Sequence, residues 1–313
     1  MSRIFDALQR SGVEQAGVEY PDAVSVITEI LEAPGPEAQA TESKTGETIS
    51  TLDLPPSTPQ VQDLPIETVT QKPTIHELSE FPALQVSVTS ASRLVFFTEP
   101  DSLAAEKFRF LGVRLRQIQQ SRSLKKILVT STIPEEGKSF VSANLAGVLA
   151  KRKQRVLLVE GDLRRPTLSQ QFGLGRLAGL GEWLLGDRRK LANIYRLDGP
   201  EFWLMPAGAP PANPLELMQS GSLSQLLAQL STMFDWIIVD SPPLLPLADT
   251  TVWARLTDGT LLVAREGKSQ KAMLQKGLET LKKSDLLGVV LNGCTSAHHD
   301  YYQRYAPSGK FVI

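Results

Sequence analysis

The sequence predicts an α/β fold, a mostly parallel β-sheet sandwiched by helices, behind a long disordered N-terminal leader. Short apolar runs alternate with helical segments in the second part of the chain, which is typical of parallel strands buried on both faces. Residues 1–90 instead contain nine prolines and 14 acidic but only 4 basic residues, a composition that favours disorder. The 313-residue chain is therefore expected to hold one folded domain and a solvated leader.

The leader is expected to have two parts. Residues 1–11 hold a possible short amphipathic docking helix with Ile4, Phe5 and Leu8 on one face. A frayed terminus is the alternative, because isolated helices this short are marginal in water. Residues 12–92 are predicted to form a disordered, acidic, Pro-rich linker.

Composition limits where the protein works. One cysteine, Cys294, excludes an internal disulfide and fits a reducing compartment. No apolar run approaches the ~20 residues that span a bilayer, and the N-terminus lacks a signal-peptide core. We expect a cytoplasmic protein without a transmembrane segment or a nucleic-acid partner, which lies peripherally at the inner face of the plasma membrane through another protein.

The folded domain is predicted to occupy residues 93–296, with a tail at 297–313. A helix is expected first, at 103–119, because apolar residues recur there at helical spacing. The predicted strands are 126–131, 155–160, 202–205, 236–240, 260–264 and 286–291. The other predicted helices are 139–152, 222–232 and 270–284. Ligands of such sheets bind at the carboxyl ends of the strands.

The first strand leads into a phosphate-binding motif. Gly137, Lys138 and Ser139 match the end of G-x-x-x-x-G-K-[ST], although Thr132 occupies the first glycine position. A loop between strand and helix presents backbone N–H groups to anions. Lys138 would reach the β- and γ-phosphates, and the Ser139 hydroxyl would bind Mg²⁺. The alternative, an ordinary turn with a surface lysine, does not explain the strand–loop–helix context.

Acidic residues end two further strands. Glu160 and Asp162 follow one, and Asp240 follows another. Phosphoryl transfer needs a carboxylate that orients the attacking hydroxyl, and Asp162 is the candidate. Asp240 is the candidate for holding Mg²⁺ through water. The predicted catalytic residues are Lys138, Asp162 and Asp240, and the predicted metal set is Ser139, Asp162, Asp240 and Glu160. The alternative for each acid is a helix cap or a turn.

Over residues 104–305 these motifs resemble the bacterial tyrosine kinases of capsule and exopolysaccharide synthesis, a branch of the P-loop ATPases. The similar pieces are 131–139, 156–166, 179–186, 213–217 and 240–243. The resemblance implies ATP and Mg²⁺ as cofactors. It also implies that Asn292 faces the adenine. The predicted nucleotide-binding residues are Pro134, Glu135, Glu136, Gly137, Lys138, Ser139, Phe140 and Asn292.

Three residues depart from the family pattern. Glu135 replaces a glycine, so a positive φ there would be costly. Glu160 replaces the first aspartate of the second acidic element. Gly112 replaces the last arginine of a Glu-x-x-Arg-x-x-Arg oligomerisation helix that begins at Glu106, and Arg114 or Arg116 could substitute for it.

The tail contains Tyr301, Tyr302 and Tyr305. In the family such a cluster accepts phosphate in a neighbouring subunit, so the resemblance implies autophosphorylation within a homo-oligomeric ring. It also implies a membrane-bound polysaccharide co-polymerase as activator. The alternative for the tyrosines is an aromatic tail that packs on the domain.

Two other functions compete with the kinase. A nucleotide-gated scaffold of polysaccharide assembly, with weak or no kinase activity, would share every nucleotide contact. A partitioning-type ATPase would share the fold, but Ile133 occupies the position of its signature lysine.

Overall fold

A computed structural model describes residues 78, 80–86, 88–89, 92–186, 191, 193–245, 248–281 and 286–294. The predicted docking helix, residues 12–77 of the predicted linker and the three tail tyrosines lie outside these residues. The strands are β1 (Ala83–Gln85), β2 (Lys126–Ser131), β3 (Val156–Glu160), β4 (Tyr195–Asp198), β5 (Phe202–Met205), β6 (Trp236–Asp240), β7 (Gly259–Arg265) and β8 (Leu286–Asn292). The helices are α1 (Val95–Thr98), α2 (Leu103–Ser121), α3 (Lys138–Ala150), α4 (Leu168–Gln171), α5 (Leu180–Leu185), α6 (Pro214–Gln219), α7 (Ser222–Met233), α8 (Asp249–Leu256) and α9 (Lys271–Thr280).

These strands form one sheet in the order β1-β4-β5-β3-β6-β2-β7-β8. Within it β4 and β5 pair antiparallel, and the other neighbouring strands are parallel. The predicted fold class is confirmed. The order brings the carboxyl ends of β3, β6 and β2 side by side, where the predicted phosphate loop and acids lie.

All six predicted strands are present, with ends that agree within one residue. The sequence analysis missed β1 and β4, and the prediction that the linker extends to residue 92 needs correction. In the structure β1 pairs with β4, with Ala83 opposite Arg196, and Leu78 is buried. Strands of three and four residues are too short to show an alternating pattern in the sequence. They form here because they pair with strands that are already part of the sheet.

Helix α3 lies at the centre of the fold. Ten of its residues are buried, which is typical of a helix enclosed on every side. Val141, Leu145 and Leu149 belong to the main core, together with residues of β2, β3 and β6. This packing fixes the start of α3, and with it the phosphate loop.

The departure at Gly112 has a packing reason. Helix α2 packs on α3 at this residue, where a Cβ atom would lie 2.8 Å from Val148 Cγ1. An arginine at position 112 would therefore push the two helices apart. Arg109 forms a 2.7 Å ion pair with Glu106, so the first two charges of the predicted oligomerisation pattern are present. Among the described residues, no helix is both long and apolar enough to cross a bilayer.

Candidate active site

The phosphate loop ends at Gly137, which has a left-handed backbone with φ of 97°. A Cβ atom there would lie 2.0 Å from Asn292 Nδ2, so both the backbone angle and the space require glycine. Helix α3 starts at the next residue, and its first N–H groups have no partner inside the helix. Together with the helix dipole they make an anion site.

Glu136 holds the loop from within. Its side chain is fully buried and accepts hydrogen bonds from Thr132 Oγ1 and the Ile133 N–H, each at 2.9 Å. It also accepts one from the Ser269 hydroxyl, which follows β7. The Glu136 carbonyl accepts a 2.9 Å bond from Asn292 Nδ2. The carboxylate therefore stabilises the loop from inside the protein, and the predicted contact of Glu136 with the nucleotide stays a prediction.

Glu135 takes the backbone conformation that the sequence analysis described as costly. Its φ is 64°, a left-handed angle that costs a non-glycine residue roughly 1–2 kcal/mol. Its carboxylate lies 2.6 Å from Lys268 Nζ, and its carbonyl accepts a 3.2 Å bond from Arg265 Nη1. The hydrogen bond from Lys268 lowers the pKa of Glu135. Arg265 at the end of β7 and Lys268 just after it thus hold the loop at this angle.

Lys138 is directed into a cluster of acids. Its Nζ lies 3.4 Å from Asp162 Oδ2; Asp162 is buried and Lys138 is partly buried. Burial acts to lower the pKa of Lys138, but the carboxylates, Asp240 above all, outweigh it and the pKa is raised. The ammonium group is therefore charged at neutral pH and lies between the ends of β3 and β6.

Asp240 lies beside the start of α3. It accepts hydrogen bonds from Ser139 Oγ at 2.6 Å and Ser142 Oγ at 3.2 Å. Burial raises the pKa of Asp240 to about 6, although Lys138 acts to lower it. The buried carboxylate is thus not fully neutralised by the lysine. A hydroxyl and a carboxylate oxygen side by side suit Mg²⁺, so these residues fit the predicted cation.

Asp162 and Glu160 differ in role. Asp162 Oδ1 accepts the N–H groups of Arg165 and Arg164 at 3.0 and 3.3 Å, which leaves its Oδ2 toward Lys138. Glu160 Oε1 accepts the N–H of Leu168 at 2.5 Å, and its Oε2 accepts others. Glu160 therefore braces two loops. Within the described part of the chain, no group of three or more His, Cys, Asp or Glu side chains could hold a metal ion, and the predicted metal set, which includes Ser139 and a water-mediated contact of Asp240, stays a prediction.

An open cleft of about 480 Å³ lies beside the phosphate loop. Phe140, Arg265 and Asn292 line it, together with Gly137. In the structure both ends of the Asn292 amide are bonded, to the Glu136 carbonyl and the Gly293 N–H. Its predicted contact with adenine stays a prediction. Pro134 is exposed at the turn of the loop.

A second cleft has a volume of about 460 Å³. Arg164, Asn213 and Glu216 line it. The Arg164 guanidinium forms a double hydrogen bond with the buried Asp249 at 2.5 and 3.1 Å.

Comparison with known proteins agrees with this geometry. Residues 127–307 match the model of the CobQ/CobB/MinD/ParA nucleotide binding domain. The tyrosine-protein kinase YwqD of Bacillus subtilis (strain 168) is 33% identical over 221 residues, which are 70% of this chain and 93% of YwqD. The chain belongs to the bacterial tyrosine kinases, within this nucleotide-binding family.

Two further comparisons concern a relative longer than this chain and a kinase domain of known structure. The succinoglycan biosynthesis transport protein ExoP of Rhizobium meliloti (strain 1021) is 32% identical over 198 residues, 62% of this chain but only 25% of ExoP. The kinase domain of Escherichia coli tyrosine kinase ETK superposes with a TM-score of 0.62 at 26% identity, covering 72% of this chain and 96% of that domain. The chain therefore spans most of YwqD and a quarter of ExoP.

Most predicted site residues of this family member lie together. The phosphate loop, Lys138, Asp162 and Asp240 lie at one edge of the sheet. Sequence reasoning missed Lys268 and Ser269, which hold the loop from the segment after β7. No motif marks that segment, because its role follows from the pairing of β7 with β2.

Proposed function

We propose that this chain is an ATP- and Mg²⁺-dependent protein-tyrosine kinase that phosphorylates its own tail and regulates exopolysaccharide or capsule synthesis and export. The observation that carries the proposal is the partly buried Lys138, whose ammonium group interacts with both Asp162 and Asp240 beside the phosphate loop. Membership of the bacterial tyrosine kinases supports the choice of tyrosine as acceptor.

We assign each step of the proposed reaction to a residue. The loop backbone and Lys138 hold the polyphosphate and offset the charge that builds up on it during transfer. Ser139 and Asp240 would hold Mg²⁺, which supplies charge neutralisation when it is bound. Asp162 Oδ2 lies 3.4 Å from Lys138 Nζ, so an acceptor hydroxyl near the γ-phosphate meets a carboxylate that can orient it and take its proton.

The acceptors that we propose are Tyr301, Tyr302 and Tyr305. Phosphorylation adds roughly −1.5 to −2 charge per tyrosine and would weaken contacts of the tail with a neighbouring subunit. We further propose a homo-oligomeric ring and a membrane-bound polysaccharide co-polymerase as activator, which would hold the protein at the inner face of the plasma membrane. ExoP, whose name includes succinoglycan biosynthesis transport, supports a role in polysaccharide export.

The test is mass spectrometry of the purified chain after incubation with ATP and Mg²⁺. We expect phosphotyrosine in residues 301–305, lost in Lys138→Met and retained in Lys276→Met, which removes an exposed lysine of α9. Tight ATP binding without phosphotyrosine would instead identify a scaffold. ATP hydrolysis stimulated by DNA, without phosphotyrosine, would identify a partitioning-type ATPase.

A further inference from the structure

The cleft lined by Arg164, Asn213 and Glu216 shares no lining residue with the cleft beside the phosphate loop. It adjoins the proposed base, because Arg164 follows Asp162 by two residues and their separation along the backbone is at most ~7 Å. Asp162 also accepts the Arg164 N–H, which keeps the connecting turn compact. A group seated in this cleft therefore lies next to the acceptor side of the reaction.

The walls of the cleft carry opposite charges in fixed places. On one side, the double hydrogen bond to the buried Asp249 holds the Arg164 guanidinium. On the other side, Glu216 accepts a 3.3 Å hydrogen bond from Asn213 Nδ2. The volume of about 460 Å³ falls in the range of ≈ 300–1,000 Å³ that is typical of sites for small ligands. The cleft thus suits an aromatic side chain flanked by an acid and a base.

The chain itself contains such a segment. Asp300 precedes the tyrosine pair at 301 and 302, and Arg304 follows it. An extended peptide would present the acid and the base on either side of the tyrosines, four residues apart or ~13 Å. The acid complements Arg164, and the base complements Glu216.

We infer that this cleft is the acceptor-peptide subsite, and that it binds residues 298–305 of the tail through Arg164 and Glu216. The inference rests on the proposed kinase function and adds the residues that select the acceptor. Arg164 and Glu216 would determine which peptide binds, whereas Lys138 and Asp162 would act in the phosphoryl transfer.

A charge-reversal experiment tests the subsite with full-length chains. The enzyme carries Phe at 301, 302 and 305, and the acceptor is the Lys138→Met chain with its own tyrosines. Glu216→Arg in the enzyme should raise the KM for the acceptor about five-fold, because an attraction of ~1 kcal/mol is lost. Acceptor carrying Arg304→Glu should restore the KM to within about two-fold of the original. Glu279→Arg, the same charge change on the exposed face of α9, is the matched control.

A measurement of peptide binding tests the subsite independently of kinase activity. A fluorescein-labelled peptide of residues 297–313 is titrated with the same enzymes in ADP and Mg²⁺, and its anisotropy gives Kd. Weaker binding to Glu216→Arg, recovered by the Arg304→Glu peptide, supports the subsite even when no phosphoryl transfer occurs, and then only the kinase proposal fails. If phosphoryl transfer occurs but Glu216→Arg leaves KM and Kd unchanged, the subsite is refuted and the proposed kinase function is not. The same holds if Glu216→Arg weakens binding but Arg304→Glu does not restore KM and Kd.

Discussion

Asp240→Asn should make the nucleotide-free protein more stable at neutral pH. Burial raises the pKa of Asp240 from its ordinary 3.8 to about 6. The folded state therefore binds more protons than the unfolded state between these two pH values. The free energy of unfolding falls as pH rises through this window, and the full cost is present above pH 6.

The size of the effect follows from the pKa shift. A shift of about two units at ~1.36 kcal/mol per unit corresponds to about 3 kcal/mol. The asparagine keeps one acceptor oxygen, so one of the two hydrogen bonds that Asp240 accepts from Ser139 and Ser142 is lost, at a cost of about 1 kcal/mol. We expect Asp240→Asn to gain about 2 kcal/mol at pH 7.5 and to lose this advantage by pH 4.

Urea unfolding followed by tryptophan fluorescence, at pH 4, 6 and 7.5, measures the difference. Asp101→Asn, an exposed acid before α2, is the control for the change in net charge. Mg²⁺ and ATP at about 100 times Kd should stabilise the wild type by about 2.7 kcal/mol, and the magnesium-dependent part of this gain should be absent from Asp240→Asn. A variant that is less stable than wild type at pH 7.5, or a difference independent of pH, would refute the assignment of Asp240 as an unneutralised buried charge.

Three further predictions concern the loop and its braces. Lys138→Met should abolish detectable ATP binding in calorimetry, because it removes the cation that offsets the buried acids; binding within about ten-fold of wild type would contradict this. Glu160→Asp should lower the free energy of unfolding by about 1–3 kcal/mol, since a shorter side chain leaves the Ala207 N–H without its acceptor. Urea midpoints measure the loss, and unchanged midpoints would show that the hydrogen bonds of Glu160 do not stabilise the fold. Glu135→Val should destabilise the protein by more than about 1 kcal/mol, because a β-branched residue tolerates a positive φ poorly, whereas Glu135→Gly should be tolerated; equal melting curves for both variants would show that the loop does not impose this angle.

The core of the site was predictable because its parts are local. Gly137, Lys138 and Ser139 follow a recognisable strand and begin a helix, and the three acids lie at or just after the ends of two apolar runs. Such short-range patterns predict that the ligand binds at the carboxyl ends of these strands. The parallel arrangement followed from the same alternation of strands and helices.

The parts that were not predictable depend on contacts between distant segments. The bond from Ser269 to the buried Glu136 depends on β7 lying next to β2, which no local pattern encodes. Glu160 was expected to bind metal because acids at strand ends commonly do. Its actual partners, the N–H groups of Leu168 and Ala207, become visible only when three separate loops are brought together.

The two outermost strands determine where the rest of the chain attaches. The leader joins the domain beside β1 and the tail leaves after β8, and these strands form opposite edges of the sheet. With strands spaced ≈ 4.8 Å apart, the two attachment points are roughly 34 Å from each other. A partner bound directly at β1 would therefore lie across the sheet from the end of β8, where the chain continues toward the proposed acceptor tyrosines.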